Sequence, residues 1–218
     1  MKNGLKMMKS NNKERILSFF DELFPNASCE LVYHKDYQLL IAVMLSAQTT
    51  DASVNKVTPI LFSKFPTLED IANASIEELE ECIKTIGMYR QKAKHLKSIA
   101  FDLVNKYGGK VPSSKEELTS LSGVGNKTAN VVRAELFNIP EIAVDTHVHR
   151  VSRRLYLASI NDDVNDVEKK LRKILPKDRY IKTHHQMIHF GRYFCKAINP
   201  NCKECRLQDI CRYYKTKK

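Results

Sequence analysis

A short glycine-rich turn precedes a lysine, and this spacing suits nucleophilic chemistry. Gly123-Val-Gly125 comes two residues before Lys127, and the apolar periodicity of residues 128–137 predicts a helix there. Glycine permits a tight turn under which Val124 can pack, and the free N–H groups of a helix start attract phosphate. The positive end of a helix disfavours a cation, and a free amine is the form that attacks carbon. Lys127 is therefore either a nucleophile or a surface lysine that contacts phosphate or solvent.

Four of the six cysteines lie close together near the C-terminus, in the spacing C-x6-C-x2-C-x5-C. They are Cys195, Cys202, Cys205 and Cys211. Met1–Ser10 has charge but no apolar core, so we expect no secretory signal and a cytoplasmic protein whose clustered thiols bind metal. Four thiolates suit a tetrahedral zinc ion or an iron–sulfur cluster, and the single compact run favours [4Fe–4S]. Cys29 and Cys82 lie among apolar residues and are expected to be inert core thiols.

An aspartate precedes another predicted helix, which runs from Val148 to Leu157. Asp145 follows an apolar stretch and is placed as the N-cap of that helix. A capping carboxylate that faces a pocket could also accept a proton or stabilise a cation. His147 and His149 alternate with valines, and without a third ligand nearby they are expected to pack or to hydrogen-bond.

The balance of charge points to a polyanionic partner. The chain of 218 residues has 36 Lys and Arg against 25 Asp and Glu, a net charge of +11. Lys196, Lys203 and Arg206 lie among the cysteines. A solvated surface would explain the charge alone, whereas a nucleic-acid partner also explains why it surrounds a metal-binding loop. The longest apolar run, Leu39–Leu45, is too short to cross a membrane.

The elements that must position these residues are all predicted to be helices. Apolar spacing, capping boxes and glycine stops indicate the following helices: 12–24, 37–47, 51–65, one that begins at Ser75 and ends near Gly87, 90–107, one from about 113 to 121, 128–137, 148–157, 164–175 and 179–198. No strand pattern or repeat is evident. We therefore predict an all-α fold.

Taken together, these segments resemble the helix-hairpin-helix DNA glycosylases, and within them the endonuclease III family. The hairpin with Lys127, the Val-Asp-Thr-His stretch with Asp145 and the four-cysteine loop occur in the order and spacing of that family. Leu39–Asp51 and Ile83–Tyr89 are similar to its earlier signature segments. The resemblance covers nearly the whole chain.

The resemblance implies a two-lobed monomer that binds double-stranded DNA in a groove between its lobes. Residues 29–139 would form a helical lobe with the hairpin. Residues 1–28 and 140–218 would form the second lobe, with a [4Fe–4S] cluster on the four cysteines that shapes a basic loop against phosphates. In a prokaryote the protein would act on nucleoid DNA.

The resemblance also implies a bifunctional glycosylase and abasic-site lyase of base excision repair. Lys127 would attack the sugar C1′ of an extruded nucleotide and displace the base. Asp145 would take up the lysine proton or stabilise the electron-poor sugar. The resulting imine would allow β-elimination, which cleaves the strand 3′ to the lesion. The implied substrates are duplexes that carry abasic sites or oxidised pyrimidines such as thymine glycol.

The same resemblance assigns the contacts with DNA. Gln48 would fill the gap left by the extruded base. From the residues themselves, Ile86 and Met88 would form an exposed apolar pair, which is either ordinary loop packing or, in a DNA binder, a wedge between bases. The hairpin residues Gly123, Val124 and Gly125 would contact DNA, with the N–H groups of Gly123 and Gly125 on a backbone phosphate. The hairpin carbonyls could also hold a monovalent cation.

Three positions depart from the usual pattern of that family. Met88 replaces a leucine, Ser122 a proline and Thr119 an acidic residue. We expect these changes to alter affinity or the preference for the opposite base before they alter mechanism. Two alternatives remain open: a monofunctional glycosylase, which would generally lack the lysine, and a non-catalytic DNA-binding module held together by zinc.

Overall fold

A computed structural model describes residues 10–216, whose regular secondary structure is helical with no β-strand among them. The predictions made for Met1–Ser10 therefore lie almost wholly outside the described residues. The α-helices, in chain order, are α1 Ser10–Leu23, α2 Asp36–Leu45, α3 Asp51–Lys64, α4 Leu68–Asn73, α5 Ile76–Ile83, α6 Tyr89–Tyr107, α7 Lys115–Ser120, α8 Asn126–Phe137, α9 Thr146–Arg154, α10 Val164–Ile174, α11 Tyr180–His189 and α12 Arg212–Thr216. The all-α prediction is confirmed. Within the described range, no helix combines the length and apolarity that a membrane crossing requires.

The described residues divide into two compact units. One comprises Glu30–Ile139, and the other comprises residues 10–29 with 140–216. The first holds α2 to α8, and the second holds α1 and α9 to α12. The hairpin and the cysteine loop therefore belong to different units.

The unit of Glu30–Ile139 is built around α2. Every residue from Tyr37 to Leu45 on this helix is buried. A helix that is apolar all round needs neighbours on all sides, and α2 packs against α3, α6 and α8. Ala129 and Val132 are buried on α8. This packing fixes the position of the start of α8.

The core of the other unit joins α1 to α9, α10 and α11. Phe20 and Phe190 are fully buried, with ring centroids 5.0 Å apart. Val148 and Val151 of α9 belong to the same cluster. Burying these side chains contributes about 1.5 to 3 kcal/mol each, so α9 is fixed along the face opposite its charged residues.

The sequence misplaced some boundaries. Helix α4 was not predicted, although its capping box is plain: the Thr67 hydroxyl accepts from Asp70 N–H and the Asp70 carboxylate accepts from Thr67 N–H. The predicted end of the helix over 179–198 is also wrong. A 3₁₀ turn precedes α11, and a π-helical turn, Phe190–Phe194, follows it. That turn ends the helix at the first cysteine of the loop, where Cys195 N–H donates to Phe190 O.

Candidate functional site

The glycine turn closes between α7 and α8 as the sequence predicted. Val124 N–H donates to Leu121 O over 3.1 Å, and Gly123 has a φ of +77°. Only glycine adopts this conformation without strain. Val124 is 5% exposed and packs under the turn. Its side chain is therefore not available to a partner, so any contact made here must come from the backbone.

Lys127 is the second residue of α8 and is exposed. The N-cap is Gly125, in extended conformation and without a side chain to cap the helix. The N–H groups of the first turn are consequently left to solvent or to an anion. An exposed amine beside such a terminus can approach a phosphate-bearing ligand directly. The structure thus places an exposed lysine and N–H groups without a side-chain cap within one turn of helix.

Asp145 is the N-cap of α9, as predicted. Its Oδ1 accepts a hydrogen bond from Val148 N–H over 2.7 Å, and the residue is half-buried. The second carboxylate oxygen is available for another partner, since a carboxylate has several acceptor positions. Lys127 lies in one unit and Asp145 in the other. Their joint action stays a prediction.

The two histidines of α9 make hydrogen bonds, as expected. His149 Nε2 lies 2.9 Å from Asp162 O. His147 Nδ1 lies 3.2 Å from Arg150 Nη2, and burial lowers the pKa of the His147 imidazole. Because the arginine can only donate, His147 Nδ1 accepts and His147 is held neutral. Among the described residues, no group of His, Cys, Asp and Glu is arranged to hold a single metal ion.

The four clustered cysteines surround one cavity. All are free thiols, and they line one pocket together with Phe190, Phe194 and Tyr213. Burial raises the pKa of the Cys195 thiol, and it raises the pKa of Cys205 to about 11. Thiols in this setting ionise only when a cation replaces the lost solvation. The chemistry of the donor set, four thiols on one pocket, suits a metal group bound by thiolates.

Arginines of α9 bind the start of this cysteine loop, which sequence reasoning missed. Arg150 Nη2 donates to Gly191 O over 2.7 Å and to Cys195 O over 3.3 Å. Arg154 Nη1 donates to Lys196 O over 2.7 Å, and its guanidinium stacks on the Tyr213 ring 4.0 Å from the centroid. The signal was an arginine pair at i and i+4, which shares one helix face.

The basic residues predicted for the loop differ in their surroundings. Lys196 and Lys203 are exposed. Arg206 instead pairs with Glu22 of α1 and lies 5.5 Å from the Phe19 ring centroid. Arg206 is exposed as well, so its role in binding DNA, like that of the two lysines, stays a prediction, and a phosphate would have to compete with Glu22.

Gln48 and Met88 are both exposed, but Ile86 is not. Gln48 and Met88 have φ values of +54° and +59°, and Met88 is 58% exposed. Such strain in non-glycine residues clusters at functional sites. A Cβ on Gly87 would lie 4.0 Å from Gln48 O, so the two segments are in contact. Ile86 is 3% exposed, and the predicted exposed apolar pair is wrong because this side chain turns into the core.

A buried lysine lies next to the Gln48 segment, and the sequence did not predict it. Lys92 of α6 is 4% exposed, and burial lowers the pKa of its amine. Its Nζ donates to Thr49 Oγ1 over 2.7 Å. It therefore ties α6 to the residue next to Gln48. The available signal was a lysine on the apolar face of α6, beside Ala93 and Leu96.

Comparison with known proteins gives a consistent result. The family model for HhH-GPD superfamily base excision DNA repair proteins matches residues 41–177. The chain is 48% identical to endonuclease III of Bacillus subtilis over 206 residues, 94% of each chain. It is 43% identical to endonuclease III of Thermotoga maritima over 185 residues, 84% of this chain and 86% of the other.

Solved structures show the same relationship. A trapped covalent intermediate of an endonuclease III with DNA superposes with a TM-score of 0.93 at 49% identity, covering 97% of this chain and 99% of that one. A thermostable thymine-DNA glycosylase has a TM-score of 0.83 at 25% identity, covering 94% and 98%.

Proposed function

Because the chain belongs to the endonuclease III family of the HhH-GPD superfamily, we propose that it is a bifunctional DNA glycosylase and abasic-site lyase of base excision repair. Its substrate is double-stranded DNA with a damaged base or an abasic site, which it binds as a monomer at the nucleoid. Oxidised pyrimidines such as thymine glycol are the bases it removes. A damaged base that stacks or pairs poorly leaves the duplex at a lower energetic cost, which favours its extrusion.

Lys127 is the nucleophile in this proposal. The free amine bonds to C1′, the C1′–N bond to the base breaks, and the base departs with the electron pair and a proton. The C1′–O4′ bond then breaks as the nitrogen lone pair forms C1′=Nζ, and O4′ leaves with its electron pair and takes a proton from solvent, which gives a protonated imine. The imine acidifies C2′, so loss of a C2′ proton breaks the C3′–O bond and releases the 3′ strand. One amine thus serves both base excision and strand cleavage.

Asp145 assists by taking up the ammonium proton of Lys127 or by stabilising positive charge on the sugar. The support is its position: one carboxylate oxygen caps α9 and the other is available for a second partner. A cap of this kind is rigid, because α9 is held by buried Val148 and Val151. A fixed carboxylate stabilises developing charge without reorganising during the reaction.

The DNA contacts follow the exposed features of the hairpin unit. Gln48 and Met88 are exposed, which suits filling the space of an extruded nucleotide. Gly123 and Gly125 offer backbone N–H groups to a phosphate, without regard to sequence. The carbonyl groups of the same turn could hold a monovalent cation. Lys196 and Lys203 extend a basic surface on the other unit.

The cysteine cavity holds a [4Fe–4S] cluster in this proposal, bound by Cys195, Cys202, Cys205 and Cys211. The support is that all four thiols face one cavity among aromatic side chains. When bound, the cluster supplies a structural crosslink of the loop. Arg150 and Arg154 connect that loop to α9, the helix that Asp145 caps.

One observation carries the proposal: Lys127 follows the glycine turn in a chain that is 49% identical to an endonuclease III trapped covalently on DNA. The direct test is an end-labelled duplex with one thymine glycol, incubated with the purified protein. We expect a strand break 3′ to the lesion with an unsaturated sugar end, without alkali. A break that appears only after alkali would indicate a monofunctional glycosylase, and an intact strand would leave only a binding module.

A further inference from the structure

Ser122 is a residue of the hairpin turn whose backbone φ is not fixed by its own side chain. The bond from Val124 N–H to Leu121 O makes Ser122 and Gly123 the central residues, and Gly123 has a φ of +77°. This is the pattern of a type II turn, whose first central position favours proline because a ring fixes φ. Leu121 has φ −73° and ψ 141°, which a following proline would accept. Serine, unlike proline, leaves the backbone at that position mobile in the unfolded chain and whenever the turn opens.

A histidine of α6 makes up for the missing restraint. His95 Nδ1 lies 2.8 Å from Ser122 Oγ. On its other side, His95 Nε2 lies 3.1 Å from Gln91 Nε2. Since the amide nitrogen donates, Nε2 accepts and Nδ1 carries the proton, so His95 donates to the serine hydroxyl.

The ring of His95 also packs directly on the next residue of the turn. A Cβ on Gly123 would come within 2.7 Å of His95 Cγ and 2.9 Å of Cδ2. No side chain fits there without moving the ring. The imidazole therefore restrains two consecutive turn residues, Ser122 by a hydrogen bond and Gly123 by contact.

We propose that His95 is a positioning residue for DNA binding, which acts by holding the hairpin turn through the Ser122 hydroxyl. Resting on the proposed function, this inference concerns how the phosphate-binding N–H groups and Lys127 are held before DNA arrives. A turn that is already ordered loses less entropy on binding. Loss of the His95–Ser122 bond therefore weakens affinity, while the chemistry in the fully bound complex continues.

The test is a double-mutant cycle read by DNA affinity. The variants are Ser122→Ala, His95→Phe, Ser122→Pro and the double variant Ser122→Pro/His95→Phe. Phenylalanine keeps a ring against Gly123 and removes the donor. The ligand is a duplex with a tetrahydrofuran abasic analogue, which cannot form an imine, so affinity is measured whether or not the protein is a lyase. Borohydride trapping at saturating natural abasic duplex is measured separately.

We expect Ser122→Ala and His95→Phe each to raise Kd about three- to tenfold, the range of one hydrogen bond. The saturated trapping rate should stay within about twofold of the unmodified protein, because bound DNA orders the turn. In the Ser122→Pro background, His95→Phe should change Kd less than about twofold, since the ring of proline supplies the restraint.

The matched control is Ser120→Ala, because the Ser120 hydroxyl donates only to Glu117 O in what the structure shows of α7. It should leave Kd unchanged. The proposal is overturned if Ser122→Ala binds as tightly as the unmodified protein, or if His95→Phe has the same effect with serine and with proline at that position. If the His95–Ser122 bond only stabilised the fold, the variants would have lower thermal stability, but their folded fraction would bind DNA with the Kd of the unmodified protein.

Discussion

Arg154 Nη1 lies 3.2 Å from Cys195 Sγ, so a cationic side chain of α9 contacts the first sulfur of the cysteine loop. The same guanidinium donates to Lys196 O and Ala197 O and stacks on Tyr213. These contacts are confined to one unit, and they link the helix that Asp145 caps to the cavity of the four thiols.

Replacing Arg154 by methionine should loosen the cysteine loop. The variant loses hydrogen bonds to three carbonyls, those of Cys195, Lys196 and Ala197, and a cation–π contact, which together contribute about 2 kcal/mol. We expect fewer iron atoms per purified chain and faster loss of visible absorbance in air. Arg153→Met changes the neighbouring residue, which lies near Asp162, and is the control. Equal iron content in both variants would contradict the role of Arg154.

Asp145→Asn should separate capping from chemistry. Asparagine caps a helix about as well as aspartate, so the thermal midpoint should hardly move. Turnover of a bound abasic duplex should fall by about 10²- to 10⁴-fold if the carboxylate handles a proton or positive charge. Asp163→Asn is a matched control, because Asp163 caps α10 in the same way, accepting from Asp166 N–H over 2.8 Å. Unchanged turnover in Asp145→Asn would leave Asp145 as a cap alone.

Acid should lower the stability of the unit that contains α1, because it protonates Asp21. Its hydrogen bond from Arg179, with others from Gln186 and Lys182, holds the pKa of the Asp21 carboxyl well below its ordinary value of 3.8. A depressed folded-state pKa adds stability that is present above the ordinary value and lost as pH falls below it. We expect Asp21→Asn to cost about 1 kcal/mol near neutral pH after allowance for solvent screening.

The measurement for Asp21 is urea unfolding of both proteins across an acid series. The difference in unfolding free energy should shrink steadily as pH falls below about 3.8. Asp178→Asn, at an exposed carboxylate of the neighbouring 3₁₀ turn, is the control. A difference that did not depend on pH would point to packing instead of charge.

The salt dependence of DNA affinity should distinguish Lys203 from Arg206. Each phosphate contact contributes about 0.9 to the slope of log affinity against log salt on duplex DNA. Lys203 is exposed, whereas Arg206 is paired with Glu22. We expect Lys203→Gln to reduce the slope by about one and Arg206→Gln to change it by much less. The opposite order would mean that Arg206 exchanges Glu22 for phosphate on binding.

Local signals in the sequence were enough for most helices and for the placement of the two reactive candidates. The glycine turn placed Lys127 in the first turn of α8. The apolar stretch before Asp145 and the helical pattern from Val148 placed Asp145 as an N-cap. Both depend on neighbours within four residues along the chain. The prediction of all-α structure succeeded for the same reason.

Pairings between distant helices could not be predicted. His95 meets Ser122 across 27 positions, and Lys92 meets Thr49 across 43. Such contacts depend on how helices pack, which periodicity does not specify. The exposure of Met88 was predicted, but the burial of Ile86 was missed for the same reason, since both residues are apolar and only the fold decides which one faces the core.

The central claim is that Lys127 forms an imine with DNA, and borohydride reduction tests it most directly. The unmodified protein, Lys127→Gln and Lys94→Gln are each incubated with a duplex that carries one abasic site and with one that carries thymine glycol, then reduced and resolved on a denaturing gel. Lys94 is an exposed lysine of α6 and serves as the control. We expect a covalent adduct with the unmodified protein and Lys94→Gln and none with Lys127→Gln, which should still bind the abasic duplex. An adduct with Lys127→Gln at the normal rate, or no adduct with any protein, would contradict the account.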